Sequence, residues 1–182
     1  MKKIYVLFLL LVIAISASAQ NLLKDRNVIN LNLGDTLQNI ELPDCYGHLI
    51  RLSDYCGNGN YTVIDFGATW CIPSRLDTPL LKKYYDKYNP SGLNMVSIYA
   101  DTKIEVLKRH VESKGVTWPL ISELIPNAWD SKGFKTFSVR SIPLYLILDK
   151  RGSIIFMSNG SLTWGSNSKD VLGPKLYELY GY

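Results

Sequence analysis

From residue 61 onward, short β-branched and apolar runs alternate with stretches whose apolar positions recur every three or four residues. Tyr61 to Gly67 and Leu93 to Tyr99 are mostly apolar runs of strand length, and they predict two buried strands. Between them, Leu76, Leu80, Leu81, Tyr84 and Tyr88 fall on one helical face, and Lys82, Lys83, Asp86 and Lys87 occupy the other. Pro79 lies inside that helix, where a missing N–H is expected to kink it. Asn89-Pro90-Ser91-Gly92 ends it. Lys103 to Lys114 predicts a helix closed by Gly115, Trp118 to Ile121 a short strand, Asp130 to Phe137 a weaker helix, and residues 168–180 a final helix. Two hairpins are expected. One pairs Asn39–Pro43 with Leu49–Leu52 around Asp44-Cys45-Tyr46-Gly47; the other pairs Pro143–Leu148 with Ser153–Met157 around Asp149-Lys150-Arg151-Gly152. Strands alternating with helices, then a closing hairpin and helix, predict an α/β fold with a central mixed β-sheet flanked by helices.

The N-terminus follows a different rule. Lys2 and Lys3 precede an apolar run from Ile4 to Ile15, and Ser16-Ala17-Ser18-Ala19 follows. A basic start, a short apolar core and an Ala-x-Ala ending describe a secretory signal peptide over 1–19. The run falls short of the roughly 18 to 20 residues that span a bilayer, and an uncleaved anchor is the alternative. Residues 20–33 read as a lead-in, and 34–182 as one domain. Without Lys2 and Lys3 the formal charge drops from +4 to +2, too little to argue for a nucleic-acid partner or a membrane surface. Lys82-Lys83 and Lys108-Arg109 read as solvated helix faces. Export implies an oxidising compartment, periplasmic or extracellular, where an odd count of cysteines raises the question of which thiol is free. Cys45 and Cys56 either pair across a short loop or stay apart; Cys71 is the candidate for chemistry.

That candidacy rests on position. Thr62, Val63, Ile64 and Phe66 lead into Trp70-Cys71-Ile72-Pro73-Ser74, and a helix starts at once. A cysteine where a strand ends and a helix begins meets unpaired backbone N–H groups and the positive end of the helix dipole, and both favour the reactive thiolate. The competing reading is an inert buried cysteine.

The segment resembles the active site of the thioredoxin superfamily, with one departure: the usual Cys-x-x-Cys is here Cys71-Ile72-Pro73-Ser74. The extra N-terminal hairpin and the helix–strand pair inserted before Pro143 are similar to the extracytoplasmic TlpA-like group and its AhpC/TSA-type relatives. Gly34-Asp35, Leu52-Ser53-Asp54-Tyr55, Asp65-Phe66, Trp70-Cys71, Pro79, Ile142-Pro143 and Leu148-Asp149-Lys150-Arg151-Gly152 carry the likeness. It implies a thioredoxin-like fold in which Cys71 attacks a substrate disulfide and forms a mixed disulfide. The family's second cysteine, which resolves that intermediate, is replaced by Ser74. Residues three apart on a helix share a face, so Ser74 has the reach to hydrogen-bond the Cys71 thiolate but no thiol to displace a substrate. A plain helix-cap serine is the alternative. Asp65 matches the buried acid that manages the second cysteine's proton, and Asp77 stands where TlpA-like proteins often carry a glutamate; either acts in proton transfer or is simply a core residue. Ile142-Pro143 matches the family's cis-proline, against the alternative of an ordinary trans proline. With Trp70, Ile72 and Pro73 it is expected to line the substrate site, where a polypeptide pairs like an added strand.

Other chemistries fit less well. A peroxiredoxin carries Thr or Ser three residues before its cysteine and Pro further upstream, where this chain has Ala68 and Ile64. A copper-delivery relative needs two nearby cysteines and a later histidine, and Ser74 breaks the pair. His110, beside Leu107 and Val111, reads as a packed or half-exposed histidine. No metal site and no cofactor are expected. Two functions remain open. One is monothiol-type thiol–disulfide exchange or isomerisation on exported polypeptides or small-thiol disulfides, supported by a membrane-linked thiol reductant. The other is a redox-inert polypeptide-binding protein.

Overall fold

The computed structural model describes residues 31–182; the leader expected over 1–19 and residues 20–30 of the lead-in lie outside the described residues. The chain runs β1 (Glu41–Pro43), β2 (Leu49–Arg51), β3 (Thr62–Gly67), α1 (Ile72–Tyr88), β4 (Asn94–Tyr99), α2 (Ile104–Lys114), β5 (Leu120–Ile121), α3 (Lys132–Thr136), β6 (Leu144–Leu148), β7 (Ile154–Asn159) and α4 (Leu172–Tyr180). Five strands form one mixed sheet in the order β5-β4-β3-β6-β7, and β1 and β2 form the separate N-terminal hairpin. β3 is parallel to β4 and antiparallel to β6, so it is hydrogen-bonded on both edges and buried at every position. The parallel pair needs a crossover, which α1 supplies. This is the expected thioredoxin-like architecture with its extra hairpin and its inserted helix and strand. Among the described residues, no helix is long and apolar enough to cross a membrane.

Side chains alternate across the sheet. Ile64, Phe66, Val96 and Ile98 face one core, with Phe134 and Phe137 from around α3 and with Ile40 and Leu42. Val63, Met95 and Tyr145 face the other, under Leu81 and Tyr84 of α1, Leu107 of α2 and Leu176 of α4. The helix expected over 130–137 is shorter than its pattern. Ser131 caps α3 by accepting from the Phe134 N–H, and a 3₁₀ turn at Ala128–Asp130 precedes it. Gly133 lets α3 lie close on the sheet, because a Cβ there would stand 2.7 Å from Ile98. The helix expected over 168–180 begins only at Leu172, where Asp170 accepts from the Gly173 N–H at 2.9 Å. α1 runs through Pro79 as one helix. Cys45, Cys56 and Cys71 are all free thiols. The possible Cys45–Cys56 bridge is not formed: Cys45 is buried in the core beneath α1 and α2, and Cys56 packs against the core on the other face of the sheet.

Two carboxyl groups are buried in the core under α1, and they are solvated by protein in opposite degrees. Asp77 accepts hydrogen bonds from Tyr145 Oη (2.8 Å), Ser161 Oγ (2.9 Å) and the N–H groups of Leu162 (2.7 Å) and Thr163 (2.9 Å). It thereby pins the loop after β7 to α1. Asp65 accepts from Ser97 Oγ at 2.8 Å through one oxygen only. Burial raises its pKa from 3.8 to about 7, against the pull of the Ser97 and Tyr99 hydroxyls, with the nearby Asp77 adding to the rise.

Asp77→Ala leaves a buried hydroxyl and two backbone donors without their acceptor. It should lower stability by about 3–5 kcal/mol in urea unfolding, at roughly 1–3 kcal/mol for each unmet group. A loss below about 1 kcal/mol would mean that the loop holds itself in place. For Asp65 the folded pKa lies above the unfolded one, so the native state binds the extra proton and stability falls as pH rises from about 4 to about 7. Asp65→Asn removes that dependence. Its stability relative to wild type should improve by on the order of 4 kcal/mol between pH 4 and pH 8, the equivalent of the displaced titration. A difference independent of pH would sink the assignment.

Candidate functional site

The site is built where three strand ends meet. β3 and β4 run parallel with Gly67 opposite Tyr99, so the residues just beyond both strands emerge side by side. There the buried Asp101 accepts from the Thr69 N–H at 2.9 Å and from the Thr69 hydroxyl. Burial raises the Asp101 pKa, while its bonds from Thr69 act in the other direction. The Trp70 indole N–H donates to the Ala100 carbonyl at 2.8 Å, and the Cys71 N–H to the Ala68 carbonyl at 3.2 Å. Gly67 has to be glycine, since a Cβ would stand 2.8 Å from the Tyr99 ring and 3.2 Å from Ser74 Oγ.

Cys71 is the N-cap of α1, with φ −81° and ψ 109°. Pro73 falls in the first turn, where a missing N–H breaks no helical bond. The half-buried thiol lies 3.9 Å from the Ile142 carbonyl, and the Ile142–Pro143 peptide is cis. The Pro143 carbonyl is tied to β7 by the Gly160 N–H at 2.9 Å. Trp70 and Ile72 flank the thiol with 54% and 50% of their surface exposed, and Trp129 packs edge-on against Trp70. Thus Trp70, Cys71, Ile72, Pro73, Ile142 and Pro143 share one rim. Such a rim can expose a nucleophile beside an unusual stretch of backbone.

Ser74 lies beneath that rim, and Asp65 is buried on β3 two residues before Gly67. Among the described residues, Ser74 Oγ and Asp65 Oδ1 are the two buried side-chain polar atoms without a hydrogen-bond partner. Asp77 stands apart, committed to Tyr145 and residues 161–163. Sequence reasoning missed the Thr69–Asp101 clamp; the available signal was an acid two residues past a buried strand. The other two thiols are suppressed. Burial drives the Cys56 pKa up to about 12, and burial followed by the Asp44 carboxylate raises that of Cys45. Among the described residues, no group of three or more His, Cys, Asp or Glu side chains could hold a metal ion.

Comparison with known proteins extends this picture. Residues 33–157 match the AhpC/TSA family. Thiol-disulfide oxidoreductase ResA of Geobacillus kaustophilus is 25% identical over 131 residues, 72% of this chain and 71% of the relative. ResA of Bacillus anthracis is 26% identical over 172 residues, 90% of this chain and 92% of the relative. A thiol-disulfide oxidoreductase from Bacteroides fragilis superposes with a TM-score of 0.66 at 20% identity, over 80% of this chain and 99% of the other. The thioredoxin domain of a thiol-disulfide oxidoreductase from Bacteroides vulgatus gives 0.63 at 21% identity, over 80% and 99%. With the fold and the Trp70–Ser74 turn, these matches make the chain a member of the AhpC/TSA family, on the TlpA/ResA-like side of the thioredoxin superfamily.

Proposed function

We propose that this chain is exported and performs thiol–disulfide exchange through the single cysteine Cys71, on disulfides of polypeptides or small thiols. The observation that carries the reading is the half-exposed Cys71 thiol at the start of a 17-residue helix, 3.9 Å from the Ile142 carbonyl beside a cis proline. Relatives named thiol-disulfide oxidoreductases support the same chemistry here. Export is supported by the basic, apolar and Ala-x-Ala pattern of residues 2–19.

The exchange balances without an outside oxidant. Cys71 releases its proton to solvent, and the thiolate is the reacting form. The thiolate attacks one sulfur of the substrate, a bond forms from Cys71 to that sulfur, and the substrate's own S–S bond breaks. The departing sulfur leaves as a thiolate and takes a proton from solvent. The Ser74 hydroxyl, expected to bond the Cys71 sulfur, makes no hydrogen bond to it in this structure, and it cannot form the second disulfide. Release therefore needs another thiol. A second thiol of the substrate makes the process isomerisation, and a membrane-linked thiol reductant makes it reduction. Trp70, Ile72, Pro73, Ile142 and Pro143 are the surface against which a substrate chain would lie, with the backbone near Ile142 free to receive an added strand. Asp65, half ionised near pH 7, suits proton transfer, though the thiol proton it would manage is missing at position 74. Asp77 holds the loop that backs the cis-proline turn, a supporting role.

Cys71 should be alkylated by iodoacetamide at pH 7 at least about 100-fold faster than Cys56 or Cys45, the margin expected when burial keeps the other two as thiols. Equal labelling in a peptide map would remove the exchange reading and favour a redox-inert polypeptide-binding protein. Ser74→Cys should close a disulfide with Cys71 and reduce insulin catalytically with added reductant, while wild type accumulates long-lived mixed disulfides. Adding Asp65→Asn should slow that variant more than it slows wild type. A folded Ser74→Cys protein that neither forms the bond nor turns over would mean that the site has diverged beyond one residue.

A further inference from the structure

Arg75, Arg109 and Lys114 line one cleft of about 430 Å³ between the start of α1 and the side of α2. Thr69, two residues before Cys71, also lines it, and the Arg75 N–H donates to the Cys71 carbonyl at 3.1 Å. The cleft is therefore lined by residues two before and four after Cys71. No carboxylate lines it, and among the described residues none of the three cations forms an ion pair. Glu105 and Glu112, the acids of α2, sit four before and three after Arg109 on the helix yet do not pair with it. The ring of His110 contributes to the lining, buried and 3.4 Å from the Thr78 hydroxyl. Burial, then the charges of Lys114 and Arg75, lower its pKa to about 4, so it is neutral near pH 7. The field of these cations is thus felt within the cleft, where the nearest carboxylate is Asp101, buried behind Thr69 and held by its N–H and hydroxyl. An anion relieves their mutual repulsion.

We infer that this cleft receives acidic side chains of the polypeptide whose disulfide Cys71 attacks, and that Arg75, Arg109 and Lys114 select that substrate. The inference rests on the exchange reading above and gives it a substrate class. Because Thr69 and Arg75 bracket Cys71 in sequence and both line the cleft, the acid it meets is placed on a residue beside the substrate cysteine. A carboxylate on the cysteine itself belongs to small acidic thiols, whose disulfides form a separate arm of the test.

The experiment measures the rate at which Cys71 forms mixed disulfides with three dimers of one short peptide, carrying Glu, Gln or Lys beside the cysteine, and with glutathione disulfide. The Gln dimer is the reference for each protein. The Glu dimer should react about ten-fold faster than the Lys dimer at low salt, with the gap closing in 1 M NaCl, where exposed charges are screened. In Arg109→Gln/Lys114→Gln the Glu-to-Gln ratio should fall to about one. A ratio unchanged in that variant, or equal rates in wild type, overturns the inference. Glutathione disulfide outpacing the Glu dimer by about ten-fold or more would reassign the cleft to a small acidic thiol. Failure of every dimer, Gln included, would instead defeat the exchange reading. The cleft is then still read by binding of the Glu peptide with its cysteine replaced by serine to Cys71→Ser protein. That peptide should bind about five-fold tighter than its Gln counterpart, and equal affinities overturn the inference.

Discussion

The placement of Cys71 depends on one buried carboxylate, Asp101, and on the strand register that brings it to Thr69. β3 and β4 are paired so that Gly67 faces Tyr99, and two residues further on Thr69 comes opposite Asp101. The carboxylate grips both the N–H and the hydroxyl of Thr69, and the neighbouring carbonyl of Ala100 holds the Trp70 indole. A turn held in this way starts α1 at a defined point, so Cys71 becomes its cap. The same sheet brings in the third strand. β6 pairs antiparallel with β3, Leu144 opposite Phe66, so Ile142 and Pro143 emerge at the end where Cys71 sits. Register, more than any local sequence preference, gathers the rim.

Three buried aspartates show how differently a core can treat one functional group. Asp101 and Asp77 are met by donors from the backbone and from hydroxyls, and each spends those bonds on positioning a loop. A buried carboxylate without such donors relieves its desolvation by taking up a proton. Asp65 is that case: one oxygen bonds Ser97, the other has no partner, and its pKa rises to about 7. Among the described residues, the other unmet buried side-chain polar atom is Ser74 Oγ, in the first turn of α1. In native cores such atoms are few and call for an explanation. Under the proposed exchange, a proton-accepting carboxyl at Asp65 would suit a second thiol at position 74, where this chain has serine.

Much of the fold was legible because it rests on local pattern. Strands β3 and β4 lie within one residue of their apolar runs, and Gly152, at φ 89°, marks the turn between β6 and β7. What escaped was set by partners distant in sequence. No local pattern announces that Asp77 finds its donors 68 to 86 residues later. Ser131 reads as helix interior, yet as a cap it divides a helical turn from α3. Cys45 and Cys56 are close in sequence, but a strand pattern does not reveal that their surroundings lie on opposite faces of the sheet. Lys108-Arg109 reads as a solvated pair, and Arg109 is exposed; that it lines one cleft with Arg75 follows only from the packing of α2 beside α1.

Replacing one sulfur by oxygen alters the site's chemistry far more than its shape. Ser74 is buried, and the rim above it is formed by other residues, so a thiol at position 74 would leave the exposed surface of this chain nearly unchanged. The covalent step by which Cys71 captures a disulfide needs only one thiol. The step that frees the captured chain needs a second, and its rate follows the access, thiolate fraction and nucleophilicity of whatever thiol arrives. Under the proposed exchange, control over residence time would pass from the protein to its surroundings. A long-lived covalent complex gives the flanking contacts more weight, because an intermediate that waits for an outside thiol is exposed to competing exchange throughout. Half-exposed Trp70 and Ile72, the cis-proline backbone and the unpaired cations beside α1 are the features that would hold one substrate in preference to another during that interval.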